Sequence, residues 1–242
     1  MKRSLLLALS VLVSGLASGV VSGCSSMGGG GPGSAESVAA LMPSGDTPAL
    51  GTGVLAEEDT AHVLYMREEE KLARDLYQHF QDRWDHRVFA HIVKSEQRHV
   101  SVMGRIVTAY GLTDPLANDV PGKFIDPDLQ GLYDQLVTTG DASLAAALGV
   151  GALVEEVDIR DLQASVNDGP PEDVAFVYDR LERASDHHLR AFTRNLEALG
   201  TPYTPQVLSQ ADFDAALASA ESQGCGKGKG GGGNGMGGGR GR

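Results

Sequence analysis

The chain has 242 residues, with 32 acidic and 20 basic side chains and a formal net charge of −12. Thirty of the acids but only fourteen of the basic residues lie between positions 57 and 223, so this stretch carries about −16 and is poorly suited to nucleic acid. Cys24 and Cys225 are the two cysteines, too few for a disulfide framework or a thiolate-rich metal site.

Residues 1–23 read as a targeting segment. Lys2 and Arg3 precede a short apolar run from Leu5 to Leu16, too short to be read as a membrane-spanning helix. Val21-Ser22-Gly23-Cys24 resembles the lipobox of bacterial lipoprotein signals, which makes Cys24 the expected lipidation site. A lipid on Cys24 would anchor an otherwise soluble domain to a membrane of the bacterial cell envelope. Ser25 resembles the outer-membrane sorting pattern, where two membranes are present. Residues 24–53 are rich in Gly, Ser and Pro and read as a flexible tether. The domain is expected over 54–223, and the Gly-rich basic tail at 224–242 is expected to have no structure.

Within the domain, apolar residues recur at helical spacing, and no useful strand-like alternation is present. A first helix over 57–82 has a stripe of Tyr65, Glu69, Leu72, Ala73, Leu76 and Phe80. Glu69 is the acid expected to face inward. A phase error of one residue would bring in Glu68 or Glu70 instead. A second helix over 87–110 carries Phe89, Ile92, Val93, Glu96, His99, Val100, Met103 and Ile106, and ends at Gly111. A third over 141–166, with Asp141 as its N-cap, carries Leu148, Ala152, Glu155, Ile159 and Leu162, with Asp158 about a turn beyond Glu155 and Glu156 as the alternative inward acid. A fourth over 171–199 carries Val174, Val177, Leu181, Ala184, His188 and Phe192, with His187 as the alternative imidazole. The link between the second and third helices is long, about 112–140, and includes a short helical stretch near 129–137. It can run the length of a bundle as a crossover. A last short helix is expected over 212–222.

The acids and imidazoles interrupt the stripes near their middles. Glu96 and His99 share a helix face, about 4.5 Å apart in rise. Burying a carboxylate unpaired is costly, so these groups call for an ion pair or a metal. Glu-x-x-His on a bundle helix is the spacing of carboxylate-bridged di-iron and di-manganese centres. Glu69, Glu96, His99, Glu155, Asp158 and His188 are therefore the candidate ligands, for iron as a di-iron or a single-ion centre, with manganese or zinc as alternatives. Tyr65, Tyr77 and Tyr178 read as core residues, and His62, His79, His86 and His91 as structural or solvent-facing.

Several motifs carry a family resemblance. Glu68-Glu69-Glu70-Lys71-Leu72-Ala73-Arg74-Asp75, Ser95-Glu96-Gln97-Arg98-His99 and Gly111-Leu112-Thr113-Asp114-Pro115 resemble the DUF2202 family of ferritin-like proteins. So do the stretch from Val150 to Ile159 and His188-Leu189-Arg190-Ala191-Phe192. The match covers roughly residues 54–200. It implies an all-α, ferritin-like four-helix bundle with one long crossover between helices two and three, short extra helices and a metal centre. It implies no particular reaction. One position departs from the ferritin-like pattern: Ser185 stands three residues before His188, where a second Glu-x-x-His would have its carboxylate. The expected function is a metal-dependent oxidoreductase of ferroxidase or peroxide-scavenging type, monomeric or homodimeric. The alternatives are an envelope lipoprotein that binds metal without turnover, and a structural bundle whose acids pair with Arg74, Arg105 or Arg190.

Overall fold

The computed structural model describes residues 49–51 and 53–224. Cys24, Cys225, the leader, most of the tether and the basic tail lie outside the described residues. The described chain folds as six helices with no strand: α1 (Glu57–Trp84), α2 (Arg87–Ala109), α3 (Pro127–Gly140), α4 (Leu144–Asn167), α5 (Glu172–Ala198) and α6 (Gln210–Gly224). No helix among them is long and apolar enough to cross a membrane. The four long helices form a ring in which α1 packs on α2 and α4, and α5 packs on α2 and α4. Helix α3 lies within the crossover and covers α1 and α4, and α6 covers α5.

The helix ends follow local chemistry. Tyr110 and Gly111 close α2, with Gly111 at φ +63° and Leu112 N–H donating to Val107 O, a six-to-one bond that satisfies an orphan carbonyl. Gly200 does the same for α5 at φ +73°, with Thr201 N–H donating to Leu196 O. One expected cap is corrected. Asp141 is the C-cap of α3, and Ser143 caps α4 by accepting from Ala146 N–H. Asp141 instead pairs with His79 at 2.8 Å. Ser143 prevails because its hydroxyl lies three residues before the first unsatisfied N–H it can reach.

Two apolar clusters fill the bundle. One holds Leu76, Tyr77, Phe80, Phe89, Leu148, Ala152, Leu189 and Phe192. The other holds Met66, Val102, Met103, Ile106, Leu162, Val177 and Leu181. Along each helix they are separated by the same polar layer: Glu70 on α1, Glu96 and His99 on α2, Glu155 and Asp158 on α4, Ser185 and His188 on α5. All of these are buried. Gly151 lets α4 approach α5 at this level, where a Cβ would sit 2.6 Å from the Phe192 ring.

The outer side of α1 is also buried, under the crossover. Glu68 accepts from Ile125 and Asp126 N–H at 2.6 and 3.1 Å. Arg67 forms two bonds to Asp114, and Arg74 two to Asp119. Lys71, fully buried, pairs with Asp75, donates to Val120 O and lies over the Phe124 ring. The charged run that marks α1 in sequence is thus largely the anchor of the crossover.

Candidate metal centre

The polar layer forms two linked groups of metal-ligating side chains. Glu70, Glu96 and His99 place one ligand atom each within 4.8 Å of one another, and so do Glu96, Glu155 and His188. Glu96 belongs to both. Its Oε2 lies 2.8 Å from His99 Nδ1, and its Oε1 lies 2.8 Å from His188 Nδ1. Glu70 Oε2 accepts from His99 Nδ1 at 3.2 Å, and Glu155 Oε2 lies 3.5 Å from His188 Nδ1. The two imidazoles stack with centroids 5.5 Å apart.

Neighbouring hydroxyls hold the donors in place. The Tyr77 hydroxyl donates to Glu155 Oε1 at 2.7 Å, so a residue read as core also fixes a candidate ligand. Ser95 Oγ lies 3.4 Å from His99 Nε2, on the ring edge away from the carboxylates. Ser185 donates to Asp158 Oδ2. The hydroxyl that stands where a carboxylate is expected thus orients a carboxylate from the neighbouring helix.

The electrostatics are unbalanced. Burial works against ionising Glu96, but the charges of His188 and His99 overcome it and hold the carboxyl well below the usual range. Burial likewise opposes protonating His188, but Glu96 and Glu155 push it up to about 10, and Glu96 and Glu70 raise His99 well above its ordinary value. Two histidines cannot neutralise four acids. Burial pushes Glu70 up to about 7 despite His99, and raises Asp158 well above the carboxylate range, helped by Glu70 and Glu155. Several buried atoms also lack a hydrogen-bond partner: Glu70 Oε1, Glu96 Oε1, Asp158 Oδ1 and His188 Nδ1. Glu96 Oε1 and His188 Nδ1 are close yet not aligned as donor and acceptor. More buried carboxyls than imidazoles, with several of their oxygens lacking a hydrogen-bond partner, fit a cation that would displace the protons.

Of the residues expected from sequence, Glu96, His99, Glu155 and His188 come together, and Asp158 lies beside them. Glu69 does not join either group, and Glu70 takes the place expected for it. The stripe through Tyr65 and Glu69 describes the face toward α4 rather than the bundle axis. Glu69 is nevertheless buried, and burial, then Asp161, Asp158 and Glu70, raise its carboxyl.

These features define a helical-bundle protein with a buried carboxylate–imidazole layer able to hold metal. The chain belongs to the family described as the uncharacterized protein domain DUF2202, which matches residues 59–220. It is 40% identical over 166 residues to the uncharacterized protein MJ0754 of Methanocaldococcus jannaschii, covering 69% of this chain and 90% of the relative. The crystal structure of hypothetical protein MJ0754 from Methanococcus jannaschii is similar, with a TM-score of 0.69 at 38% identity over 71% of this chain and 98% of that one.

Proposed function

We propose that this is a ferritin-like, membrane-anchored metalloprotein with a two-metal centre and an iron-dependent oxidoreductase activity of ferroxidase or peroxide-scavenging type. One observation carries the reading: Glu96 turns one oxygen toward each of two donor groups, as a carboxylate bridging two cations would. Glu70, Glu96 and His99 would hold one ion. Glu96, Glu155 and His188 would hold the other, with Asp158 supplying the carboxylate that Ser185 lacks. The ring of α1, α2, α5 and α4 with its single long crossover supports the ferritin-like arrangement, in which donors from each helix meet inside the bundle. Carboxylate and imidazole donors suit iron, manganese or zinc. Iron bound there would supply a one-electron couple and open positions for oxygen or peroxide. The Val21–Cys24 motif supports the lipid anchor and an envelope location.

The protein's own groups set the conditions for binding. His99 and His188 hold protons when no cation is bound, and Glu96 supplies their shared counter-charge. Tyr77 and Ser185 keep Glu155 and Asp158 turned inward. The test is elemental analysis of the purified protein, followed by oxygen consumption on Fe(II) addition. Two metals with rapid consumption are expected. Bound metal without consumption would leave a non-enzymatic binding protein, and no metal between about pH 6 and 8 would end the reading.

Binding must also move protons. His188 has to lose the proton it holds up to about 10, and Glu70 the one it holds up to about 7. Loading at pH 7 is therefore expected to release at least about one proton per metal, and apparent affinity is expected to fall as pH drops. A pH-stat titration with Mn(II) in unbuffered solution measures this. Uptake without proton release would remove the imidazoles from the ligand set.

A further inference from the structure

Every donor of the centre is buried, from 1% exposure at His99 to 7% at His188, so an ion cannot reach it directly from solvent. A route has to be built into the bundle. Two other buried acids sit where such a route would run. Glu69 is 4% exposed and Asp161 is 3% exposed, and Glu69 Oε2 and Asp161 Oδ2 have no hydrogen-bond partner. The buried acids with structural roles differ from them: Glu68 accepts two backbone N–H groups and Glu156 three.

We propose that Glu69 and Asp161 form a second, equally buried cation site between α1 and α4, through which a divalent metal ion passes on its way to the centre. The inference rests on the metal-centre reading above. The positions trace a line. Asp161 lies about one turn from Asp158 on α4, and Glu69 adjoins Glu70 on α1, which packs directly on α4. Outside the centre, Asp161 exerts the strongest charge effect on Glu69. Inside it, Asp158 and Glu70 come next. Toward solvent, Asp161 faces half-buried His62 and Arg160. Arg160 Nε donates to Asp161 Oδ1 at 2.7 Å, and the other oxygen keeps its lone pairs. Glu69 also lines a small, almost wholly apolar cavity with Leu72, Leu132, Leu136, Leu153, Val154 and Val157, which places it at the contact of α1 with α3 and α4. A pair of acids in a low-dielectric interior lowers the electrostatic cost of a cation's passage toward a buried site and speeds its arrival.

The test uses the full-length protein stripped of metal, with Co(II) as the probe and its absorption bands followed by stopped flow. Glu69→Gln and Asp161→Asn keep side-chain shape and remove charge. Both variants are expected to reach the wild-type Co(II) stoichiometry at equilibrium, with loading slowed about tenfold. Wild-type loading rates in both would overturn the proposal. Lowered stoichiometry at an unchanged rate would also overturn it, by making Glu69 a ligand of the centre. If one variant fails to fold, the other decides, and unfolding of both would assign the acids a structural role instead. No Co(II) uptake by the wild-type protein would sink the metal centre itself, a result separate from an unaltered rate in the variants.

Discussion

Replacing Glu96 with alanine is expected to abolish metal-dependent stabilisation and to lower the stability of the metal-free protein as well. A cation that binds the folded state alone raises stability by about 2.7 kcal/mol at a hundredfold excess over its Kd. Glu96 is shared by both donor groups, so its loss removes the bridge and takes most of that gain. Without metal, the variant leaves His99 and His188 stacked and buried with no common counter-charge, a break that costs about 3–5 kcal/mol. The pH at which this is measured matters. The depressed Glu96 contributes stability above the ordinary carboxylate value and loses it as pH falls through its folded value. The raised histidines contribute fully below their ordinary value near 6.5 and lose it only as pH rises toward their folded values, about 10 for His188. Melting at pH 6 falls in the window where both act. Thermal melts of wild type and variant, with Mn(II) and with chelator, give the answer. A wild-type melting temperature indifferent to chelator would reduce the layer to a set of buried ion pairs.

The sequence makes the helices, their order, the long crossover and the level of the polar layer legible, because each rests on 3.6-residue periodicity and on turn residues such as Gly111 and Gly200. It is less informative about which of several adjacent acids faces the axis. A single stripe identifies the inward face only when the opposite face is wet. Eight consecutive residues of α1, Met66 to Ala73, are buried, and so are Val154 to Ile159 on α4. The crossover covers one side of the bundle and the C-terminal segment another. Consecutive glutamates about 100° apart on a helix are therefore all enclosed, each for its own reason. Glu68 binds the crossover backbone, Glu69 faces the α4 acids and Glu70 faces His99. Ser185 shows the same limit. The missing carboxylate is visible in sequence, but the bond from the Ser185 hydroxyl to Asp158 depends on contact between α4 and α5 that no spacing on α5 encodes.

Glu156 provides the sharpest contrast with its neighbour Glu155, and its replacement by alanine is expected to be among the most destabilising single changes in the domain. The side chain is fully buried and points away from the centre. It accepts from the Tyr203 hydroxyl at 2.5 Å and from the backbone N–H groups of Gln206, Val207 and Leu208 at 2.9–3.1 Å. This one carboxylate thus satisfies a whole turn of the segment leading into α6. Each donor left buried without a partner costs about 1–3 kcal/mol, and part of that is recovered when the segment opens to water, so a net loss of about 3–5 kcal/mol is expected. Opening is local: amides of residues 203–220 are expected to exchange faster with solvent, while those of α1 and α2 keep their protection. Metal stoichiometry is expected to remain that of wild type, because the Glu156 carboxylate touches no donor of the centre. Glu155→Ala is expected to do the reverse, weakening cation binding while leaving the 203–208 segment protected. Hydrogen exchange read alongside elemental analysis separates the two. Loss of metal from Glu156→Ala with the C-terminal segment still protected would mean that the wrong member of the pair has been assigned to the centre.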